Sequence, residues 1–198
     1  MQAKSSAKKN VPKVNPTDQN YDQLKCSIKN LDSKTKDYGM INDYLQSTRE
    51  GRKLTMVDCF ELEREGEKKI FNPEKLGNKK LLWHGSRFSN FVGILSQGMR
   101  IAPPEAPSTG YMFGKGVYFA DLAGKSAPYC RPELSNGIAV FVLCEVALGN
   151  TNEVLQPTHS AKLPKGCQST HALGRRAPNP AGSLRIDNGN VEVPVGKV

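Results

Sequence analysis

Apolar and polar positions alternate in short stretches along most of the chain, and helical spacing appears in only two places. In YDQLKCSIKNLD, Leu24, Cys26 and Ile28 alternate with Lys25, Ser27 and Lys29, the period-two pattern of a half-buried strand. Order is therefore expected from about Tyr21. Asp32 or Ser33 can then cap a helix whose buried face carries Tyr38, Ile41 and Leu45. The polar run 47–53 reads as a loop, 54–64 as strand, and 66–80 mostly as connection. LLWHGS (81–86) is a short apolar strand ending at a glycine. The following SRFSNFVGILSQGMR has helical spacing, with Ser86 or Ser89 as N-cap and Gly98 at the C-terminal stop. Residues 101–116 hold three prolines and three glycines and form a long irregular loop, of the kind that is usually functional. GVYFAD (116–121) predicts a strand, and LAGKSAPYC (122–130) a short helix disturbed by Pro128. GIAVFVLCEVALGN (137–150) is apolar on both faces and is expected at the centre of a sheet. Residues 155–182 are rich in turn formers, and 183–193 predict a hairpin turning at Asn188-Gly189. Strands follow one another and do not alternate with long helices, so the pattern predicts an α+β fold with mostly antiparallel sheet.

Composition narrows the class. The 198 residues suit one domain, with 37% hydrophobic and 24% charged residues. No apolar run reaches the length of a membrane span, and the N-terminus has no secretory h-region. The five cysteines form no CxxC pair, which argues against a disulfide framework and for a reducing compartment. Cys167, His171 and His159 lack the second close pair that a zinc site needs, so no metal is expected. The net charge of +9 suggests work near a polyanion. Part of it lies in Lys4, Lys8, Lys9 and Lys13, so residues 1–20 read as a disordered basic lead-in and 21–198 as the domain.

Few residues offer chemistry. His84 ends an apolar strand just before Gly85, where a ligand can approach the backbone because no Cβ intervenes. It reads either as a ligand contact or as an ordinary hydrogen-bonded strand-end histidine. Tyr111, Tyr118 and Tyr129 surround the proline-glycine loop and could stack a flat ring or simply fill core. GYMFGKG does not have the dinucleotide spacing GxGxxG, and HExxH, GxSxG and GxxxxGK[ST] do not occur. Glu145, inside an apolar strand, is more readily explained by pairing with Lys or Arg than by catalysis.

The stretch 81–130, with WHGS, GYMFGKGVYFAD and KSAPYC, closely resembles the catalytic domain of the poly(ADP-ribose) polymerases, in particular the DNA-damage-responsive nuclear branch. The likeness continues through FELEREGE (60–67), EVALGNTNEV (145–154), LPKG (163–166) and EVPVG (192–196). It implies an ADP-ribosyltransferase fold of two packed, mostly antiparallel sheets with short flanking helices. It also implies transfer of ADP-ribose from NAD to acceptor proteins and growing poly(ADP-ribose) chains, with release of nicotinamide. NAD is then a consumed substrate, no metal or membrane is involved, DNA is met through other modules, and the setting is the nucleus. The resemblance makes His84 and Tyr118 catalytic. It assigns NAD binding to His84, Gly85, Ser86, Asn90, Arg100, Tyr118, Ser126 and Tyr129, and the acceptor side to Met112 and Lys125. The family's triad glutamate is expected beyond Val198, together with the last strands, so the alternative is a fragment that binds NAD or ADP-ribose without turnover. The chemistry passes through an oxocarbenium-like ribose as neutral nicotinamide leaves.

Overall fold

The computed structural model describes residues 15–101, 111–158 and 162–198. Regular structure starts ahead of Tyr21, inside the segment read as lead-in. Helix α1 (Pro16–Leu24) has a proline at its first position, where no N–H is needed, and the Asn15 side chain accepts from Thr17 N at 2.9 Å. The lysines at 4, 8, 9 and 13 lie outside the described residues.

Strand β1 (Cys26–Asn30) pairs antiparallel with β2 (Phe60–Arg64). The expected strand over 54–64 is thus confined to its second half. Helix α2 (Lys36–Thr48) is capped by Thr35, whose hydroxyl accepts from Tyr38 N at 3.2 Å; Asp32 instead makes a turn, accepting from Lys34 N. A short helix α3 (Glu67–Ile70) interrupts the expected connection. Strand β3 (Lys79–Gly85) follows. The helical spacing after it resolves into a 3-10 turn (Phe88–Asn90) and α4 (Phe91–Gln97). Neither Ser86 nor Ser89 caps α4: Asn90 is its N-cap, without a side-chain cap bond, and Asn90 Nδ2 donates to Ser86 Oγ at 3.0 Å.

After α5 (Ala123–Cys130) come β4 (Phe141–Ala147), β5 (Thr151–Val154), β6 (Ser169–Ala172), β7 (Leu184–Ile186) and β8 (Val191–Val193). Three sheets result: β1-β2, a four-stranded sheet in the order β4-β3-β8-β7, and a parallel pair β5-β6. The α+β class holds, with β3-β8 also parallel and the other pairs antiparallel. Among the described residues β4 is a margin strand, not a central one. Its two apolar faces have a different cause. Phe141 and Leu143 pack on the core, while on the other face burial pushes the Cys144 thiol up to about 12. A strand can be covered on both faces and still have one open edge.

The hairpin β7-β8 turns one residue earlier than expected. Asp187 and Asn188 take the positive φ angles of a type I′ turn (49° and 53°), and Gly189 N donates back to Ile186 O at 3.1 Å. The core gathers Tyr44 and Leu45 of α2, Trp83 of β3, Ala123 of α5 and Val193 of β8. The Tyr44 and Trp83 rings lie 4.9 Å apart, and Tyr44 OH donates to Leu81 O at 3.1 Å. Lys79 is buried at the start of β3, with Glu74, Glu145 and Asp187 at 3.0, 3.5 and 3.6 Å. Glu145 therefore serves a lysine, as its place in a strand suggests.

Candidate active site

The site is built where β3 ends against α5. Trp83 exchanges both backbone bonds with Ala120 (2.8 and 2.9 Å), so the predicted strand GVYFAD amounts to a single bridge. The ladder does not continue to Tyr118 because that residue's carbonyl is taken by a side chain: the Nδ1–H of His84 donates to Tyr118 O at 2.8 Å. A carbonyl only accepts, so this bond sets the tautomer. Nε2 of the neutral ring is left as an acceptor. The ring also leans on Phe119, with centroids 5.8 Å apart.

Backbone polarity alternates along a strand. Trp83 turns its N–H and C=O towards Ala120, away from β4, and Gly85, two residues on, turns its own pair to the same side. No side chain is tolerated there. A Cβ on Gly85 would collide with the Ser126 carbonyl oxygen and would lie 2.9 Å from Ser126 C and 3.0 Å from Cys130 Sγ. The close approach of α5 brings buried Ser126 beneath Gly85, and its hydroxyl donates to Trp83 O at 3.2 Å. Cys130, below, is held neutral: burial pushes its thiol up to about 11.

Helix α5 carries a proline in its interior, and the neighbouring loop repairs the damage. Pro128 cannot donate to Gly124 O, four residues earlier. Arg52 Nε donates to that oxygen at 2.9 Å instead. At the start of the helix, Ala123 N donates to Thr48 Oγ1 of α2 at 3.2 Å, so two segments far away in sequence hold α5 under β3.

Around this centre, Tyr118 OH donates to Gly114 O at 2.6 Å and accepts from Phe113 N, which fixes its ring, and the ring lies 6.3 Å from that of Tyr111. Tyr129 is 62% exposed on the outer face of α5. His84, Gly85, Tyr118 and Ser126 thus form one constellation, with Ser86 and Asn90 bonded to each other just beyond it. Arg100 is less closely tied: its guanidinium donates to Gln97 at the end of α4. Met112 contributes a carbonyl that accepts from Thr158 N, and its side chain is exposed, as is Lys125. Sequence reading missed Trp83, whose indole Nε1 is buried without a partner among the described residues, as well as Phe119 and Arg52. Only the run of family-like residues around Trp83 hinted at its role. No group of three metal-ligating side chains occurs among the described residues, and His159 and Glu105 lie outside them.

The profile of the "Poly(ADP-ribose) polymerase catalytic domain" family matches residues 35–198. The chain belongs to the poly(ADP-ribose) polymerase catalytic-domain family. Its relatives include the poly(ADP-ribose) polymerase 1 of Gallus gallus, 48% identical over 91% of this chain and 18% of that protein. The poly(ADP-ribose) polymerase 2 of Homo sapiens is likewise 48% identical, over 91% of this chain and 31% of its own length. The poly(ADP-ribose) polymerase 1 of Arabidopsis thaliana is 47% identical over 94% and 20%. The chain therefore spans between about a fifth and a third of the relatives it matches. The β3–α5 constellation lies wholly inside the part matched by the polymerase family. No helix among the described residues is long and apolar enough to cross a membrane.

Proposed function

We propose that the chain is the NAD-using part of a poly(ADP-ribose) polymerase, transferring ADP-ribose to protein acceptors and growing chains and releasing nicotinamide. The observation that carries this reading is the pairing at the end of β3: His84 fixed in one tautomer by Tyr118 O, beside the outward-turned amide of Gly85. A carboxamide needs one donor and one acceptor side by side, and the N–H and C=O of one extended residue supply both. Ser126 adds hydroxyl lone pairs, since its proton already goes to Trp83 O. Tyr118 and Tyr129 bound the flat ring, and His84 Nε2 accepts from a ribose hydroxyl. Ser86, Asn90 and Arg100 line the adenosine side. Met112 and Lys125 face the acceptor. Cleaving the ribose–nicotinamide bond develops positive charge on the sugar, and contacts that strengthen with that charge lower the barrier. The proposal needs no metal. It places the protein in the nucleus, with DNA reached through modules outside this chain.

Binding tests the roles separately. His84→Ala weakens NAD binding more than nicotinamide binding, since only NAD has the ribose; calorimetry with both ligands measures the difference. Equal losses would mean that the pocket had collapsed and that His84 contacts no ribose. A second reading, NAD binding without turnover, has one observation in its favour. The acids of β4 and β8 are both engaged by lysines, Glu145 by Lys79 and Glu192 by Lys80 at 3.3 Å. Nicotinamide release measured alongside NAD binding separates the two.

A further inference from the structure

The loop that repairs α5 is also the most basic short stretch near the site. Thr48-Arg49-Glu50-Gly51-Arg52-Lys53 carries three cations and one acid. It lies directly on the helix: a Cβ on Gly124 would come within 2.8 Å of Arg49 O and 2.9 Å of the Glu50 side chain. It is closed on itself by Arg52 N donating to Arg49 O and by Arg49 Nη1 donating to Arg52 O (3.1 and 3.2 Å). The bond from Arg52 to Gly124 O then pins it one residue from Lys125. Arg52, Lys53 and Lys125 are exposed and Arg49 is partly so. Among the described residues none of these four cations has a carboxylate within ion-pair distance, and Glu50 is the opposing charge. Along α5, Lys125 and Tyr129 are four residues apart on the outer face, so the cations extend the surface that begins at the exposed tyrosine.

We propose that Arg49, Arg52 and Lys53, together with Lys125, form a cationic rail that holds the pyrophosphate groups of an ADP-ribose chain presented as acceptor. The proposal rests on the reading of Tyr129 and Ser126 as the nicotinamide end of the site, because that reading brings the acceptor to this face. A pyrophosphate-bearing chain has repeated anionic groups that several fixed cations can meet in turn. A protein acceptor without phosphate has no such requirement. Arg52 acts as the positioning residue, since its Nε is committed to Gly124 O, while Lys53 is free to meet the ligand.

The test uses the whole chain and two probes: short ADP-ribose oligomers followed by fluorescence anisotropy, and benzamide followed by calorimetry. Lys53→Glu weakens oligomer binding about fivefold, the scale of an exposed ion pair, and makes it less salt-dependent. Benzamide affinity and melting temperature stay unchanged, and Lys53→Arg restores oligomer binding. Benzamide bound normally with oligomer affinity unaltered in Lys53→Glu overturns the rail alone. A wild-type chain that binds no benzamide overturns the donor-site reading and the rail with it. A single-stranded DNA of equal charge that binds as tightly and loses as much reduces the loop to general polyanion attraction and also overturns the proposal.

Discussion

A Cβ on Gly85 has nowhere to go, because the backbone of α5 occupies its place. Gly85→Ala should displace α5 and cost about 1–3 kcal/mol, the range of an overpacked interior. Chemical denaturation measures that cost, and benzamide binding should be lost with it. Asp121 gives a pH test. Burial holds its carboxyl above the usual range, against the smaller pull of its own backbone bond and of His171 and Lys80. The folded state therefore binds the proton more tightly than the unfolded chain, and stability contributed by this group falls as pH rises through the raised value. Asp121→Asn should gain melting temperature relative to the native chain as pH rises from the acid side, and the gain should level off once Asp121 is ionised. A gain that shrinks with pH would contradict the assignment. At this scale the sequence marked His84, Gly85, Tyr118 and Ser126 through resemblance. The reason Gly85 must be glycine was hidden, since the atom that forbids a side chain belongs to residue 126. Trp83 and Arg52 were hidden for the same cause: their partners are distant in sequence.

Elements were legible where one local pattern decides them. The alternation in β1, the buried face of α2 and the turn formers between β7 and β8 all foretold the right type. Errors came from context. The run 137–150 showed that two faces are covered, and no sequence pattern reports which edges are paired. GVYFAD has strand composition, but its ladder stops after one pair because the His84 ring takes the next carbonyl. Pro128 foretold a damaged helix; the repair by Arg52 was invisible. That repair is measurable as a double-mutant cycle. Arg52→Ala should cost about 1 kcal/mol with Pro128 present, the value of one such hydrogen bond, and less in a Pro128→Ala background, where residue 128 supplies the N–H itself. Equal costs in both backgrounds would show that Arg52 does not stand in for the missing donor.

Across the whole molecule, one lysine joins parts that are otherwise separate. Lys79 of β3 meets Glu74 from the 3-10 turn (Pro73–Lys75), Glu145 from β4 and Asp187 from the β7-β8 turn. The hydrogen bond from Glu74 holds the ammonium above its usual range, so it stays charged across the neutral region. Lys79→Met should leave three carboxylates facing one another. Its melting temperature should fall at neutral pH and recover towards acid, as protonation removes the repulsion. A uniform fall at all pH values would mean that the lysine contributes through its alkyl stem alone.

The exchange between Pro128 and Arg52 also constrains how this chain could have come by its residues. A proline arriving first would have left Gly124 O unanswered inside a packed helix, whereas an arginine arriving first would have cost little on an exposed loop. The easy order is arginine, then proline. Once both were in place, position 52 was no longer free to drift, so a loop residue became as hard to lose as one in the core.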